Sequence, residues 1–415
     1  MKSESDEVRL RRVNLHIFLA DILHVNRLFK EAAFTLRHGV FDRVVVFGLW
    51  SRGLQLEEAT TYGLEIFRLK VLNRRFADAW FMRFIPLRKL IAAISLMEFG
   101  ARAVKEAVRL KPTHVSCHNV LLLPVCWMAA RLTGAQLVYL PHELETRRAH
   151  LRGLAQKCQE LIERSFIKTA SDVVAVCEPI AGWYRQTYCL TNVHVVRNVP
   201  ERDAVVIKKV PEGDFRQRFD IPVDATVFIY QGIFGKARGT DRLLEIFSDL
   251  SPERAHLVLM GYGDPSDHEA IDRHVARQSN IHYQPAVPRE WITSYTSGAD
   301  IGVFIAEDPP LNDRWALPNK FFEFVHSGLP VLVSDNLGLL SELVAEHNIG
   351  WSAPYADIRR KIEALIQTDV RPYRPRAKAF ARIAVWEEDA QVFKTVYGRT
   401  KAVEQPSVSN MDEAK

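Results

Sequence analysis

Two open, doubly wound α/β domains in tandem are predicted by this sequence, on three observations. The chain has 415 residues, more than one ordinary core accommodates, which points to two domains. Short β-branched or apolar runs alternate with longer helical patterns through both halves, the rhythm of βαβ units around a parallel sheet. Around residues 200–211 the sequence turns charged and loses that rhythm, as a boundary between domains does.

The elements follow in order. "NLHIFLAD" (14–21) reads as a strand, "HVNRLFKEAAFTLRHG" as a helix closed by Gly39, and "RVVVFGLW" (43–50) as the next strand. Then come "GLEIFRL" (63–69), a long basic and aromatic helical region (74–110), "THVSCHN" (113–119), the helix "LLPVCWMAARLTG" and the strand "QLVYLPHE" (136–143). A helix over roughly 152–169 leads to "SDVVAVCE" (171–178), a further helix and "VHVVRNVP" (193–200). The second half restarts with "TVFIYQG" (226–232), "AHLVLMGYG" (255–263), "IHYQPAV" (281–287) and "IGVFIAE" (301–307), with helices over 240–250, 266–278 and 289–297, and closes on a helix and strand within 316–335. The predicted domains are 1–200 and 201–384, followed by an amphipathic helix within 385–400 and a tail, 401–415, with no apolar face and a disordered composition. In open sheets of this kind ligands sit beyond the carboxyl ends of the strands.

Bulk composition narrows the function classes only a little. Fifty-five Lys and Arg against 50 Asp and Glu give a net charge of +5, a mild excess that suits anionic small molecules or a lipid surface as well as nucleic acid. The five cysteines, an odd number without CxxC spacing, predict packed thiols in a reducing compartment and no zinc site. The N-terminus lacks a signal-peptide core, and the longest apolar run (120–130) stops at Arg131, well short of the ~20 residues that span a bilayer. A cytoplasmic protein, or one peripheral on the inner face of the cell membrane, is expected.

Two stretches carry chemistry. In "YQGIFGKARGTDRLLEIF" (230–247) a strand runs into Gly232, crosses a glycine-containing basic loop and enters a helix after Gly239. Such a loop offers backbone N–H groups and the cations Lys236 and Arg238 to a phosphate at a helix N-terminus; a solvated basic turn is the plain alternative. In "ALPNKFFEFVHSGLPVLVSD" (316–335), Pro318 fixes the chain, Asn319 suits the start of a short helix, and Gly328 closes it before a buried strand. Asp313 and Arg314 fall in the preceding loop. Lys320 and Glu323 share one helical face, an arrangement fit for phosphate oxygens and ribose hydroxyls, or for an i,i+3 ion pair.

Taken in order, "YQGIFGKARG", "LVLMGYGD", "NIHYQPAVPREWITSYTSGADIGVFI" and "ALPNKFFEFVHSGLPVLVSD" resemble the phosphate loop, Gly-x-Gly strand end, base-binding strand and ribose-binding helix of the family-four retaining glycosyltransferases. The Pro-Asn-Lys subgroup is similar to enzymes that build capsular and extracellular polysaccharides. More loosely, residues 13–200 resemble the family's acceptor-side domain, and "WEEDAQVFKTVY" its helix returning to that domain, so the likeness spans about 13–400. It implies a GT-B fold, two Rossmann-like domains facing across a cleft, and transfer of a hexosyl-type group from a nucleotide-diphosphate sugar to a glycan or lipid-linked acceptor. It further implies Glu323 on the ribose, Lys320 and Arg238 near the diphosphate, Asn319 among the donor-binding residues, Gly232 allowing close approach of phosphate, backbone at Val287 and Pro288 on the base, and His142 near the donor sugar. His118, Asn119 and Glu143 are acceptor-side candidates, with Glu143 as a partner that orients His142.

Two positions depart from the family pattern. Trp315 stands eight residues before Glu323, where a first glutamate is usual, and Ile233 stands where an arginine commonly follows the loop glycine. No acidic pair is placed to hold a metal at the diphosphate, so cations and helix ends are expected to replace it, and no cofactor is expected. A nucleotide-sugar epimerase on the same double fold and a non-catalytic nucleotide-sugar-binding subunit remain alternative readings. Residues 68–96 interleave Arg and Lys with Trp80, Phe81, Phe84 and Ile85, which suits a membrane surface or plain packing on the sheet. No nucleic-acid module is present, so no nucleic-acid partner is expected.

Overall fold

The structure is a computed structural model that describes residues 11–23, 25–72, 85–148, 151–202 and 206–398. Trp80, Phe81 and Phe84 of the basic aromatic segment, and the tail 401–415, lie outside them.

Among the described residues the strands form two sheets. The first contains β1 (Val13–Ile17), β2 (Arg43–Leu49), β3 (Glu57–Ala59), β4 (Leu64–Leu69), β5 (His114–Cys117), β6 (Gln136–Tyr139), β7 (Asp172–Ala175) and β8 (Val193–Val195), in the order β3-β4-β2-β1-β5-β6-β7-β8. All its pairings are parallel except that of the edge strand β3. The second contains β9 (Thr226–Ile233), β10 (Ala255–Tyr262), β11 (Ile281–Pro285), β12 (Ile301–Phe304), β13 (Val331–Ser334) and β14 (Gly350–Ala353), all parallel, in the order β11-β10-β9-β12-β13-β14. The doubly wound class expected from the sequence is the one observed. The sequence pattern missed β3 and β14: "EEA" is exposed and charged, and "GWSA" is short and only partly buried.

The strand orders locate the functional face. The order in which successive strands are added reverses between β1 and β5 in the first sheet and between β9 and β12 in the second. At such switch points the loops diverge and leave a crevice beyond the strand carboxyl ends. Burial sets the register: all five residues of β1 and all four of β5, β6, β7 and β13 are buried, as strands covered on both faces require.

The chain's last helices pack back on the first sheet. The expected single helix over 385–400 is two short ones, Trp386–Asp389 and Val392–Gly398. Trp386, Phe393, Val396 and Tyr397 are buried in a core that also takes in Leu28, Phe41 and Val138 of the first half and Phe321 and Val331 of the second. Arg197 donates from Nε, Nη2 and its backbone N–H to the Asp389 carboxylate at 2.7–2.8 Å, and the Tyr397 hydroxyl lies 3.0 Å from Ser116 Oγ beside β5.

Candidate active site

A cleft of about 900 Å³ opens between the two sheets and takes its walls from both. From the second half it is lined by Lys236, Arg238, Phe304–Pro310 and Ala316–Lys320, numbers 304–310 and 316–320 of the chain. From the first half come Arg27, His142, Glu143, Ile180 and Asn198. Both switch points thus contribute loops to one space.

The phosphate-loop candidate is built by glycines. Gly232 at the end of β9 has φ 116°, and a Cβ there would meet Lys320 Cδ at 3.8 Å and Nζ at 3.9 Å, so the residue keeps the approach to the ammonium open. Gly239 has φ 74°, and a Cβ on it would strike Ile305 Cγ1 at 2.6 Å; glycine alone lets the loop lie on the end of β12. Thr240 Oγ1 accepts from Gly235 N at 3.0 Å, fixing the turn that leads into the helix Thr240–Ser248. Lys236 and Arg238, on the one-turn 3₁₀ segment between, are exposed and reach the cleft. Ile233, in the position where the resemblance expects an arginine, is 42% exposed and contributes no charge.

Three phenylalanines secure the helix Asn319–His326. Phe321, Phe322 and Phe324 are fully buried, each contributing about 1.5–3 kcal/mol by leaving water. Their burial turns Lys320 and Glu323 toward the interior of the molecule. Its N-cap is Pro318 without a side-chain cap, while Asn319 is the first helical residue and its Oδ1 accepts from Asn198 Nδ2 at 3.2 Å across the cleft. Asp313 and Arg314 lie in a short helix, Leu311–Arg314, where the sequence suggested a loop.

Lys320 occupies an aromatic cage. Its Nζ lies 4.1 Å from the Phe304 ring centre and 4.7 Å from that of Tyr230, and donates to the Tyr230 hydroxyl at 3.4 Å. That phenol in turn donates to Ile233 O at 2.7 Å. Burial, with Arg238 adding to it and Glu323 opposing, pushes the ammonium down to about 7. Such a cation gains most from an anion placed beside it.

Glu323 faces elsewhere. It accepts from Gln231 Nε2, whose own Oε1 accepts from Thr296 Oγ1 at 2.7 Å, and burial pushes its carboxyl up despite Arg289 nearby. It lines a second, narrower cavity of about 370 Å³ with Lys30, Pro200, Arg289, Glu290 and Thr293. The i,i+3 pair is therefore no ion pair: Lys320 borders the wide cleft and Glu323 the narrow one. Val287 is half-buried against the core and Pro288 is exposed, just before Arg289; they border the narrow cavity through their neighbour alone.

On the first-half side, His142 follows β6 and lines the cleft. Its Nε2 pairs with His118 Nδ1 at 3.0 Å, and His118 Nε2 with His16 Nδ1 at 2.8 Å. Burial pushes His142 down to about 3, so its imidazole is neutral near pH 7. Glu143 does not orient it. That carboxylate lies 3.0 Å from Arg148 Nε and near Asn312 Nδ2, so the partner of His142 is His118. His118 is buried and lines neither cavity. The Asn119 side chain accepts from Leu121 N at 2.9 Å as a cap and lines neither cavity.

Several residues went unread in the sequence. Arg27 is buried on the cleft wall, donates from Nη1 to Val196 O at 2.9 Å, and keeps Nε and Nη2 without a partner. Lys30 donates to Val199 O at 2.7 Å and to Asn198 Oδ1 at 3.0 Å, over the Trp386 ring. Asn312 accepts from Leu144 N at 2.8 Å and ties the two halves at the cleft. Trp315 packs against the first-half core, with its carbonyl accepting from Cys177 Sγ at 3.1 Å; the cleft carboxylates are instead Glu143, Glu307, Asp308 and Asp313. Among the described residues, His16, Glu31 and His118 bring one polar atom each within 4.8 Å of one another. The two histidine nitrogens bond each other and Arg27 stands beside Glu31, so this is a hydrogen-bonded cluster and not a cation site.

Comparison with known proteins bears on this layout. Residues 225–368, which comprise the second sheet, match the family described as "Glycosyl transferases group 1". No curated protein sequence matches the chain. Similar solved structures include a sucrose-phosphate synthase from Thermosynechococcus elongatus, at 15% identity and TM-score 0.65 over 94% of this chain and 98% of that one. HepE of Anabaena, solved with UDP-glucose, is 15% identical at TM-score 0.65 over 92% and 99%. A glycosyltransferase from Rickettsia africae is 13% identical at TM-score 0.68 over 94% and 100%. These likenesses show the GT-B fold over up to 94% of the chain, and Lys320, Glu323 and the glycine loop lie within the residues that match the family. No described helix is long and apolar enough to cross a membrane.

Proposed function

We propose that the protein is a retaining glycosyltransferase of the family-four type, moving a hexosyl-type group from a nucleotide-diphosphate sugar to an acceptor hydroxyl. The observation that carries this reading is the caged Lys320, a half-buried ammonium beside Gly232 and the Lys236–Arg238 turn, facing His142 across the cleft. A diphosphate placed there meets three cations, and the ribose and base extend into the narrow cavity toward Glu323 and Pro288. Arg27 offers two unpartnered guanidinium nitrogens from the opposite wall.

Reaction in this cleft is electrostatic. As the bond from the anomeric carbon to the phosphate lengthens, charge grows on the leaving diphosphate, and Lys320, Arg238 and Arg27 stabilise it most at that point. His142, neutral, exchanges one hydrogen bond with the sugar or phosphate. No divalent ion is needed in this scheme, because the cations supply the charge. The acceptor enters from the first-half side, and a glycan or lipid-linked acceptor in polysaccharide or glycolipid synthesis fits the Pro-Asn-Lys resemblance. On this reading the protein works in the cytoplasm, with the part of segment 68–96 that follows β4 against the membrane surface; Arg68 itself is buried in the first half.

A non-catalytic nucleotide-sugar-binding subunit is favoured by one observation, the packing of Trp315 away from the cleft where a sugar-side carboxylate is expected. Measuring nucleoside diphosphate release from a panel of sugar nucleotides with and without sugar acceptors separates the two. Acceptor-dependent release supports the transferase, whereas tight donor binding with no release supports the binding subunit.

A further inference from the structure

His142 stands at the end of an unbroken buried line of polar contacts. His142 Nε2 meets His118 Nδ1 at 3.0 Å, and His118 Nε2 meets His16 Nδ1 at 2.8 Å. His16 Nε2 meets Asn14 Nδ2 at 2.9 Å, and Asn14 Oδ1 accepts from Ser116 Oγ at 3.0 Å. Ser116 Oγ lies 3.0 Å from the Tyr397 hydroxyl, which lies 2.5 Å from Glu31 Oε1. Asn14, His16, Glu31, Ser116, His118 and Tyr397 are each at most 3% exposed. The line joins the cleft to the helix Val392–Gly398 at the far end of the chain.

We propose that Glu31 is a positioning residue for His142: the proton on its carboxyl decides which ring nitrogen of His142 carries hydrogen toward the cleft. The argument is a count of hydrogens. Ser116 has one, and gives it to Asn14 Oδ1. As placed, the Tyr397 hydroxyl donates to Glu31 Oε1, which leaves the Ser116–Tyr397 contact without a hydrogen; for every contact to hold one, Tyr397 gives its own to Ser116 and the Tyr397–Glu31 contact is filled by a hydrogen on the carboxyl. In that state Asn14 Nδ2 donates to His16 Nε2, His16 Nδ1 donates to His118 Nε2, and His118 Nδ1 donates to His142 Nε2. The hydrogen of His142 is then on Nδ1, the nitrogen His118 leaves for the cleft.

Removing the Glu31 proton reverses every bond. Tyr397 donates to the carboxylate, Ser116 donates to Tyr397, and the Asn14 amide turns over so that Nδ2 donates to Ser116 while Oδ1 accepts from His16 Nε2. His118 Nε2 then donates to His16 Nδ1, and His142 Nε2 donates to His118 Nδ1, leaving a bare lone pair on His142 Nδ1. The two states differ by one proton, released to solvent from Glu31, and no histidine changes charge. The first presents an N–H to a phosphate or sugar oxygen, the second only an acceptor.

The groups that face Glu31 are Arg27 on its own helix, Tyr397 on the returning helix, His16 on β1 and His118 after β5. Burial outweighs the hydrogen bond to Tyr397 and the charge of Arg27, and holds the carboxyl up at about 7. Both states are therefore reachable near neutral pH.

The consequence for turnover rests on His142 acting in the proposed transfer, but the test does not. With histidine ¹⁵N-labelled in the full chain and no substrate present, two-bond ¹H–¹⁵N spectra report each imidazole tautomer, His142 being assigned with His142→Gln. The expected result is a passage of His142 from mainly Nδ1–H at pH 6 to mainly Nε2–H at pH 8, about tenfold in the ratio for each pH unit, as one proton requires. Tyr397→Phe, the smaller change Ser116→Ala and Glu31→Gln, whose amide does not titrate, should each abolish this pH dependence. A tautomer that does not change with pH in the unmodified protein, or changes alike in Ser116→Ala, would overturn the proposal whatever the enzyme's activity.

Discussion

Lys320 Nζ lies 4.1 Å from the centre of the Phe304 ring, held there by a helix anchored through three buried phenylalanines. An ammonium at about 7 is half deprotonated in the free protein at neutral pH, and a diphosphate beside it favours the charged form. Binding of a nucleoside diphosphate at pH 8 should therefore take up close to one proton, and affinity should weaken as pH rises through 7. Calorimetry in buffers of different ionisation enthalpy measures this uptake. It should vanish in Lys320→Met, which should also lower turnover by ~100-fold or more while weakening donor affinity less, as loss of a transition-state donor does.

Glu323 lines the narrow cavity and is held by Gln231. If it takes the ribose hydroxyls, Glu323→Ala should weaken nucleoside diphosphate binding by ~10–100-fold, the worth of one or two hydrogen bonds to a charged group. Titration calorimetry of the free nucleotide is the check, and an unchanged dissociation constant would remove Glu323 from the site.

The buried titratable groups set a pH window for stability. His16 and His142 are pushed down to about 3, and His114 and His282 to about 4. Below pH 6.5 the unfolded chain binds more protons at these four, so their contribution is full above 6.5 and is lost as pH falls toward 4. Glu31 and Glu145, pushed up to about 7, act oppositely and lose stability as pH rises from 4.5 to 7. Burial also pushes His118, His256 and His326 down and Glu163 and Glu323 up; seven histidines outweigh four carboxyls, so the urea midpoint should fall between pH 6.5 and 4.5, and His282→Gln should flatten that fall.

Asp389 holds Arg197 at both ends of its guanidinium and at its backbone N–H. Asp389→Ala should destabilise the chain by about 2–3 kcal/mol, because Arg197 is left part-buried without its partner. Urea unfolding followed by tryptophan fluorescence measures it, since Trp386 lies in the same short helix.

How far the sequence led can be traced residue by residue. Strand and helix order was legible because burial on both faces writes continuous apolar runs, as in β1, β5 and β13, and because Gly232, Gly239 and Gly328 sit at turns with positive φ. Edge strands β3 and β14, short and partly exposed, carry no such mark. Lys320 was legible through its neighbours, yet the helical spacing that puts Glu323 on its face could not show that Lys320 borders a wide cleft and Glu323 a narrower cavity. The line from His142 to Glu31 joins residues 14, 16, 31, 116, 118, 142 and 397, contacts far apart in sequence that no local pattern announces. Arg27 and Lys30 hid in an ordinary amphipathic helix, where a charged residue reads as solvated until the packing shows it buried.

The central claim is that the cleft transfers a sugar from a nucleotide diphosphate, and release of nucleoside diphosphate from a panel of sugar nucleotides, with sugar acceptors supplied, tests it most directly. The account predicts that at least one donor yields nucleoside diphosphate only when acceptor is present, that a new glycoside appears in equal amount, and that Lys320→Met slows both by ~100-fold or more. Release that ignores the acceptor, or that is undiminished in Lys320→Met, would contradict it.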